Sequence, residues 1–179
     1  SFLEGVIGES VFPDFFSIEE DPFVLRGLSS SAFDNEGVQT EKRSIVSSGR
    51  LEGLFLSTYS ARKLGLASTG NAGGAHNLSV HARGHTHEFG DLLKMMDTGF
   101  LVTDLLGHGT NMVTGDYSRG ASGFWVENGE IVHPVQEVTV AGNLKDMFKA
   151  IRGVGNDHLN RSSFKVGSLL IDSMTVGGD

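Results

Sequence analysis

The stretch Gly123-Phe124-Trp125-Val126-Glu127-Asn128-Gly129-Glu130-Ile131-Val132-His133 decides how this chain is read. Two runs of aromatic and β-branched residues, side chains that pack well on a pleated surface, flank an Asn-Gly pair. Asn-Gly suits the type I′ turn, whose two central residues both need positive φ. The spacing therefore predicts a β-hairpin. Working outward, residues 137–141 read as a further strand. Asn143 can cap a helix over 144–151, whose Leu144, Phe148 and Ile151 share a face. Residues 166–171 and 174–176 close the chain as strands. On the other side, residues 100–106 read as a buried strand broken by Gly107-His108-Gly109.

Further upstream, Phe89, Leu92, Leu93 and Met96 recur at helical spacing and predict a helix over 88–96, with Thr86 as its cap and Gly99 just past its end. Residues 77–82 alternate as a strand, and 68–75 form a polar, glycine-rich loop. Residues 40–46 and 51–57 predict a hairpin around Ser47-Ser48-Gly49-Arg50. Thr58 can cap a short helix over 59–64 that Gly65 ends. Residues 1–31 mix Phe12, Phe15, Phe16 and Phe23 with Glu19, Glu20 and Asp21, and Pro13 and Pro22 interrupt any long helix. They read as a covering segment with short helical turns, so that 1–35 cover a core built from 36–179. The sum is an α+β chain, predominantly antiparallel β, its sheet curved into a barrel or sandwich, with a few short helices. Strands and helices do not alternate regularly, which argues against a doubly wound parallel sheet.

Bulk properties exclude several function classes. A length of 179 residues suits one domain. The net charge is -8, and no basic cluster exceeds Lys42-Arg43 or Arg62-Lys63, so nucleic acid is not an expected partner. No apolar run reaches the roughly 18 residues of a membrane helix. With no cysteine the chain has no disulfide, no thiolate ligand and no thiol nucleophile, which suits the cytoplasm. Its opening Ser1-Phe2-Leu3-Glu4 carries no signal segment and reads as the interior of a longer protein.

Among chemical constellations, His81, His85 and His87 could hold zinc through neutral imidazoles and leave a place for water. On one continuous strand their spacing would give them a common face. That is the basis of one alternative reading, a stand-alone metallohydrolase. His87-Glu88 starts like the zincin motif, but Asp91 and Leu92 stand where a second histidine is needed. Thr114, Asp116, Ser118 and Arg119, packed between Gly115 and Gly120, are candidates for substrate contact or for a self-bonded turn. No Gly-x-Ser-x-Gly elbow surrounds Ser118. Gly107-His108-Gly109 and the glycines of 70–74 lack the spacing of a phosphate loop. Phe124 and Trp125 read as core or subunit contact rather than a base-stacking platform. A third reading is a peptide-binding module without catalysis.

Several runs resemble the PmbA/TldD family. They are Thr58-Tyr59-Ser60-Ala61-Arg62-Lys63-Leu64-Gly65-Leu66, Ser68-Thr69-Gly70 through Gly74, Thr114-Gly115-Asp116-Tyr117-Ser118-Arg119-Gly120-Ala121, the hairpin quoted above, Ala141-Gly142-Asn143-Leu144-Lys145-Asp146-Met147 and Val176-Gly177-Gly178. The resemblance covers nearly the whole chain. It implies the C-terminal domain, residues 1–179, of a two-domain cytoplasmic protein whose N-terminal domain lies outside this chain. It further implies a zinc-dependent peptidase pair that acts on small or unfolded peptides, with microcin maturation, antitoxin turnover and an older description as modulator of DNA gyrase attached to the family. TldD-type members hold zinc with HExxxH and a later cysteine, and neither occurs here. The resemblance therefore implies the TldE-type, non-catalytic subunit. No cofactor is expected on this chain and zinc is expected in a TldD-type partner, in a heterodimer, with a homodimer as the second arrangement.

Overall fold

The computed structural model describes residues 1–178. In chain order its elements are β1 (Phe16–Asp21), β2 (Arg43–Ser47), β3 (Arg50–Leu51), α1 (Thr58–Leu64), β4 (Asn77–Ala82), β5 (Thr86–His87), α2 (Phe89–Met96), β6 (Gly99–Leu106), β7 (Asp116–Glu127), β8 (Glu130–Asn143), α3 (Leu144–Lys149), β9 (Ile151–Gly155), β10 (Phe164–Lys165), β11 (Leu169–Ile171) and β12 (Thr175–Gly177). They form three open sheets, ordered β10-β4-β1-β2-β3, β11-β9-β5 and β12-β8-β7-β6. Among the described residues only β10–β4 and β5–β9 pair in parallel. The fold is thus mostly β, mainly antiparallel, with three short helices, the class the sequence predicts.

The core lies between the first two sheets and joins Phe12, Phe16, Ile45, Val46, Leu51, Ala82, Ile151 and Val154. The Phe12 ring stacks on Phe16, centroids 4.7 Å apart, and on Phe148 of α3 at 4.6 Å. Such pairs add about 0.5–1.5 kcal/mol each beyond their buried area.

Several sequence expectations change here. The strand over 51–57 is one only at Arg50–Leu51, Ser57 rather than Thr58 caps α1, and α2 starts after Glu88 with no side-chain cap, Thr86 lying in β5. Residues 1–31 are not helical turns over a sheet: they contain β1, the middle strand of the five-stranded sheet, paired with β2 and β4. Pro13 and Pro22 bracket that strand instead of interrupting a helix. The strand over 100–106 is half exposed, not buried, because β6 lies at a sheet edge. The helix over 144–151 stops at Lys149, and Ile151 starts β9 inside the core.

β1 escaped recognition because its inward position after Ile18 is an acid. Glu20 is 1 % exposed. Oε2 accepts from Arg43 Nη2 at 2.8 Å and Nε at 3.3 Å. Oε1 accepts from the Asn71 side-chain amide at 2.7 Å and the His76 backbone N–H at 2.8 Å. Arg43 stands directly across from Glu20 on β2. It also donates to Asn71 Oδ1 at 2.8 Å and to the Leu54 carbonyl at 3.2 Å. The two ring nitrogens of His76 lie 3.1 Å and 3.0 Å from the carbonyls of Ser29 and Gly70. Nearby, burial pushes the Asp34 carboxyl up, but the N–H groups of Ala72, Val38 and Glu36 outweigh it and, with His76, hold it below the ordinary 3.8. The glycine-rich loop is therefore tied into the sheet by buried charge.

Removing one partner of a buried pair leaves the other charge stranded, at about 3–5 kcal/mol. We expect Glu20→Ala to lower stability in urea unfolding by that amount. Lys42→Ala, which breaks the exposed contact to Asp21, should cost under about 1 kcal/mol. A Glu20→Ala loss no larger than that of Lys42→Ala would contradict the assignment.

Candidate peptide-contact surface on the β6–β8 sheet

The hairpin of β7 and β8 turns at Asn128 and Gly129, with φ of 52° and 74°, as the Asn-Gly pair predicts. Its pairing runs from Glu127↔Glu130 back to Asp116↔Asn143, so residues 137–141 belong to the same long strand. The tip is anchored: Gly129 donates to the Asp97 carbonyl after α2 at 2.8 Å. β6 pairs along β7, and Gly123 lets it approach closely. A Cβ at Gly123 would sit 1.9 Å from the Leu101 carbonyl oxygen.

At the base, the candidate residues form a latch. Thr114 Oγ1 donates to Asp116 Oδ2 at 2.6 Å, and the Asn143 side-chain amide donates to Asp116 Oδ1 at 3.1 Å. Asn143 Oδ1 in turn accepts the Lys145 N–H and caps α3, as its sequence position predicts. The Leu144 N–H donates to the Gly115 carbonyl at 2.7 Å. Oδ1 of Asp116 thus ties the start of β7 to the cap of α3, while Oδ2 fixes the turn that precedes β7. The Thr114 hydroxyl and the Asn143 amide hold the Asp116 carboxyl below its ordinary 3.8, against a smaller opposing effect of burial.

The other candidates separate. Ser118 and Arg119 are neighbours on a strand and point to opposite faces. Arg119 Nη2 donates to the Leu105 carbonyl at 3.2 Å, while its buried Nε has no partner. Phe124 and Trp125 lie about 27 and 31 Å along the strand from Asp116, at roughly 3.4 Å per residue. Trp125 Nε1 donates to Glu127 Oε1 at 3.0 Å, and Phe124 stays 36 % exposed. The six residues therefore make two patches, one at each end of the ribbon.

The histidines are not brought together either. Arg83 and Gly84, the latter at φ 73°, turn the chain between β4 and β5, so His81 lies on one sheet, His87 on another and His85 in the connection between them. His81 is exposed, 3.9 Å from Glu19. His85 stacks on Phe15 at 3.9 Å and meets His87 edge-on at 6.5 Å. Among the described residues no three His, Cys, Asp or Glu side chains converge to hold a metal ion. This donor set does not fit zinc. No helix among them is long and apolar enough to cross a membrane. The sequence reading missed the buried Glu20 cluster; Arg43 and Asn71, each beside polar neighbours, carried no periodic signal of burial.

A three-sheet antiparallel domain with this ribbon matches, over residues 1–178, the family model described as PmbA/TldA metallopeptidase C-terminal domain. The chain belongs to the PmbA/TldD family and forms its C-terminal domain. It is 52 % identical over 178 residues to the metalloprotease PmbA of Escherichia coli, covering 99 % of this chain and 39 % of that protein. A crystal structure of a candidate modulator of DNA gyrase from Bacteroides thetaiotaomicron superposes with TM-score 0.90 at 33 % identity, covering 99 % of this chain and 40 % of that one. TldE from Thermococcus kodakarensis shares the fold, with TM-score 0.81 at 24 % identity over 98 % of this chain and 42 % of its own. The chain thus spans about two-fifths of the relatives it matches.

The Asp116 latch has a pH signature. A carboxyl depressed by folding contributes stability above its unfolded pKa near 3.8, and that contribution is lost as pH falls through the folded value. Side-chain carbon NMR should place the Asp116 midpoint below 3.8, and Thr114→Val should move it upward. An unshifted midpoint that ignores Thr114→Val would exclude the latch.

Proposed function

We propose that this chain is the C-terminal part of a TldE-type subunit that helps a TldD-type partner degrade or process small or unfolded peptides in the cytoplasm. The observation that carries this reading is the donor set. The chain belongs to a metallopeptidase family and is 52 % identical to the metalloprotease PmbA, yet it has no cysteine, the ligand that the family resemblance places in this region of TldD-type members. Zinc and the activated water come from the partner; microcin maturation and antitoxin turnover are the implied outcomes.

The role left to this chain is to position peptide and partner. β6 ends its sheet and offers an unpaired edge over eight residues. An extended peptide can add to such an edge through main-chain hydrogen bonds, which recognise backbone rather than sequence. Val102 and Leu106 lie exposed along it. At the far end of the ribbon, Phe124, Ile131 and Val132 are 36 %, 47 % and 53 % exposed. They offer apolar area to a subunit contact, first with a TldD-type chain and second with a like chain. Thr114, Asp116, Ser118 and Arg119 set the base of the same ribbon, where Ser118 is exposed for contact.

The test is a peptidase assay on the purified protein with zinc, alone and mixed with a TldD-type chain. We expect unfolded peptides to survive the protein alone and to be cut in the mixture. Cleavage by the protein alone, undiminished when trace partner is removed by an affinity step, would refute the proposal.

A further inference from the structure

His76 follows the glycine-rich loop, directly ahead of β4, and is buried. Its ring meets a main-chain carbonyl on each side. Nδ1 lies 3.1 Å from the Ser29 carbonyl oxygen, and Nε2 lies 3.0 Å from that of Gly70. A carbonyl oxygen can only accept. A neutral imidazole carries one N–H and one bare nitrogen, whereas the imidazolium carries two N–H groups. In either neutral tautomer, one nitrogen lone pair would face a carbonyl lone pair across a hydrogen-bond distance, and both acceptors would go unsatisfied.

The surrounding charges point the same way. Glu20 Oε1 accepts the His76 backbone N–H at 2.8 Å, and Arg43 pairs with Glu20. Asp34 is buried and accepts the N–H groups of Ala72, Val38 and Glu36. Burial raises its carboxyl; those three N–H groups and then a positive His76 lower it. Asp21, next to Glu20 on β1, is paired with Lys42. Residues 22–31 add only Arg26, which is exposed, and residues 68–75 add no charge. With a neutral His76, Glu20 and Asp34 outnumber Arg43 in this interior. With the imidazolium the buried charges balance, as burial of charge requires.

We propose that His76 is held as an imidazolium and acts as a pH-sensitive clamp between loop 22–31 and the glycine-rich loop. Loss of its proton turns one of the two ties into a repulsion. Other bonds stay in place: Asn77 Oδ1 accepts the Ser29 N–H, and Asn77 Nδ2 donates to the Ser30 hydroxyl and the Asp21 carbonyl. The loops therefore loosen without detaching. Loop 22–31 carries Leu25 and Leu28, 89 % and 71 % exposed, so the clamp sets how firmly that apolar tip is presented. The imidazolium finds these acceptors only in the folded chain. Its contribution is whole where an unfolded histidine is protonated, below about pH 6.5, and is lost as pH rises and the folded ring gives up its proton. The inference does not depend on the peptidase reading.

The test is NMR on the purified protein, with nitrogen-labelled histidine and carbon-labelled carbonyls, across the histidine range from about pH 6 to 9. We expect both His76 ring nitrogens to carry protons at about pH 7, where an unconstrained histidine is mostly neutral. The Ser29 and Gly70 carbonyl resonances should move with the ring as its proton leaves. These readouts use the unsubstituted protein and are free of any folding defect. In urea unfolding, the midpoint should fall across the same interval. His76→Gln, whose amide donates from one end only, should flatten that fall, and His108→Gln, at an exposed loop position, should keep it. A His76 ring with one bare nitrogen at about pH 7, carbonyl resonances that ignore its titration, or a fall in the midpoint unchanged by His76→Gln would overturn the proposal.

Discussion

Glu20 is the residue around which the first half of the structure is arranged. Removing a carboxylate from water costs several kcal/mol even after the protein relaxes, and attraction to a partner offsets this only when the remaining lone pairs are also satisfied. Here four donors meet the two oxygens: two from Arg43, one from Asn71 and one from the His76 backbone. The arrangement makes strict demands on the chain. β1 must be central, because Arg43 reaches Glu20 from β2 on one side while Leu78 of β4 pairs with it on the other. A one-residue slip of β1 would send Glu20 to the opposite face and strand Arg43. The glycine-rich loop must come close enough to insert Asn71. Gly70 shows how close: at φ 69°, its missing Cβ would lie 2.6 Å from the Gln39 carbonyl oxygen. A segment that is polar by composition is thereby made part of the interior.

The second half follows a different rule. The β6–β8 sheet is held by its own ladder, and its attachments to the rest lie at the ends of the ribbon. Gly129 docks on the last turn of α2, and the Thr114, Asp116 and Asn143 latch joins β7 to α3. Between those anchors, much of the surface is exposed, including Ile131 and Val132. A ribbon fixed at both ends, with Phe124, Ile131 and Val132 exposed toward its tip, is well suited to carry contacts with another chain, because its shape does not depend on what covers it.

How legible all this is from sequence depends on whether a signal is local. Asn128-Gly129, Gly65 at the end of α1 and Asn143 at the start of α3 each act through their own backbone geometry, and each is where the sequence predicts it. Glu20 is different. An acid at an inward strand position looks like a break in the alternation, and only Arg43, Asn71 and His76, up to 56 residues away, make it tolerable. The histidines show the converse. Their parity suggests one face only if the chain runs straight, and the turn at Arg83 and Gly84 separates His81 on β4 from His85 and His87 beyond it. Residues 114–119 were legible as a cluster but not as two opposite strand faces, since that division depends on where β7 begins.

His87 shows why an unpaired nitrogen need not be a ligand. Its Nε2 is buried without a hydrogen-bond partner, which taken alone invites a metal or a substrate. The ring, however, lies against Gly153 of β9: a Cβ there would be 3.0 Å from His87 Cδ2, 3.0 Å from Leu92 Cδ2 and 3.5 Å from His87 Nε2 itself. The backbone of His87 is held by its pairing with Gly155, and its ring fills the space that Gly153 leaves open beside α2. Packing thus accounts for the ring's position. The unmet hydrogen bond costs about 1–3 kcal/mol, a loss that close contact between β5, β9 and α2 can outweigh.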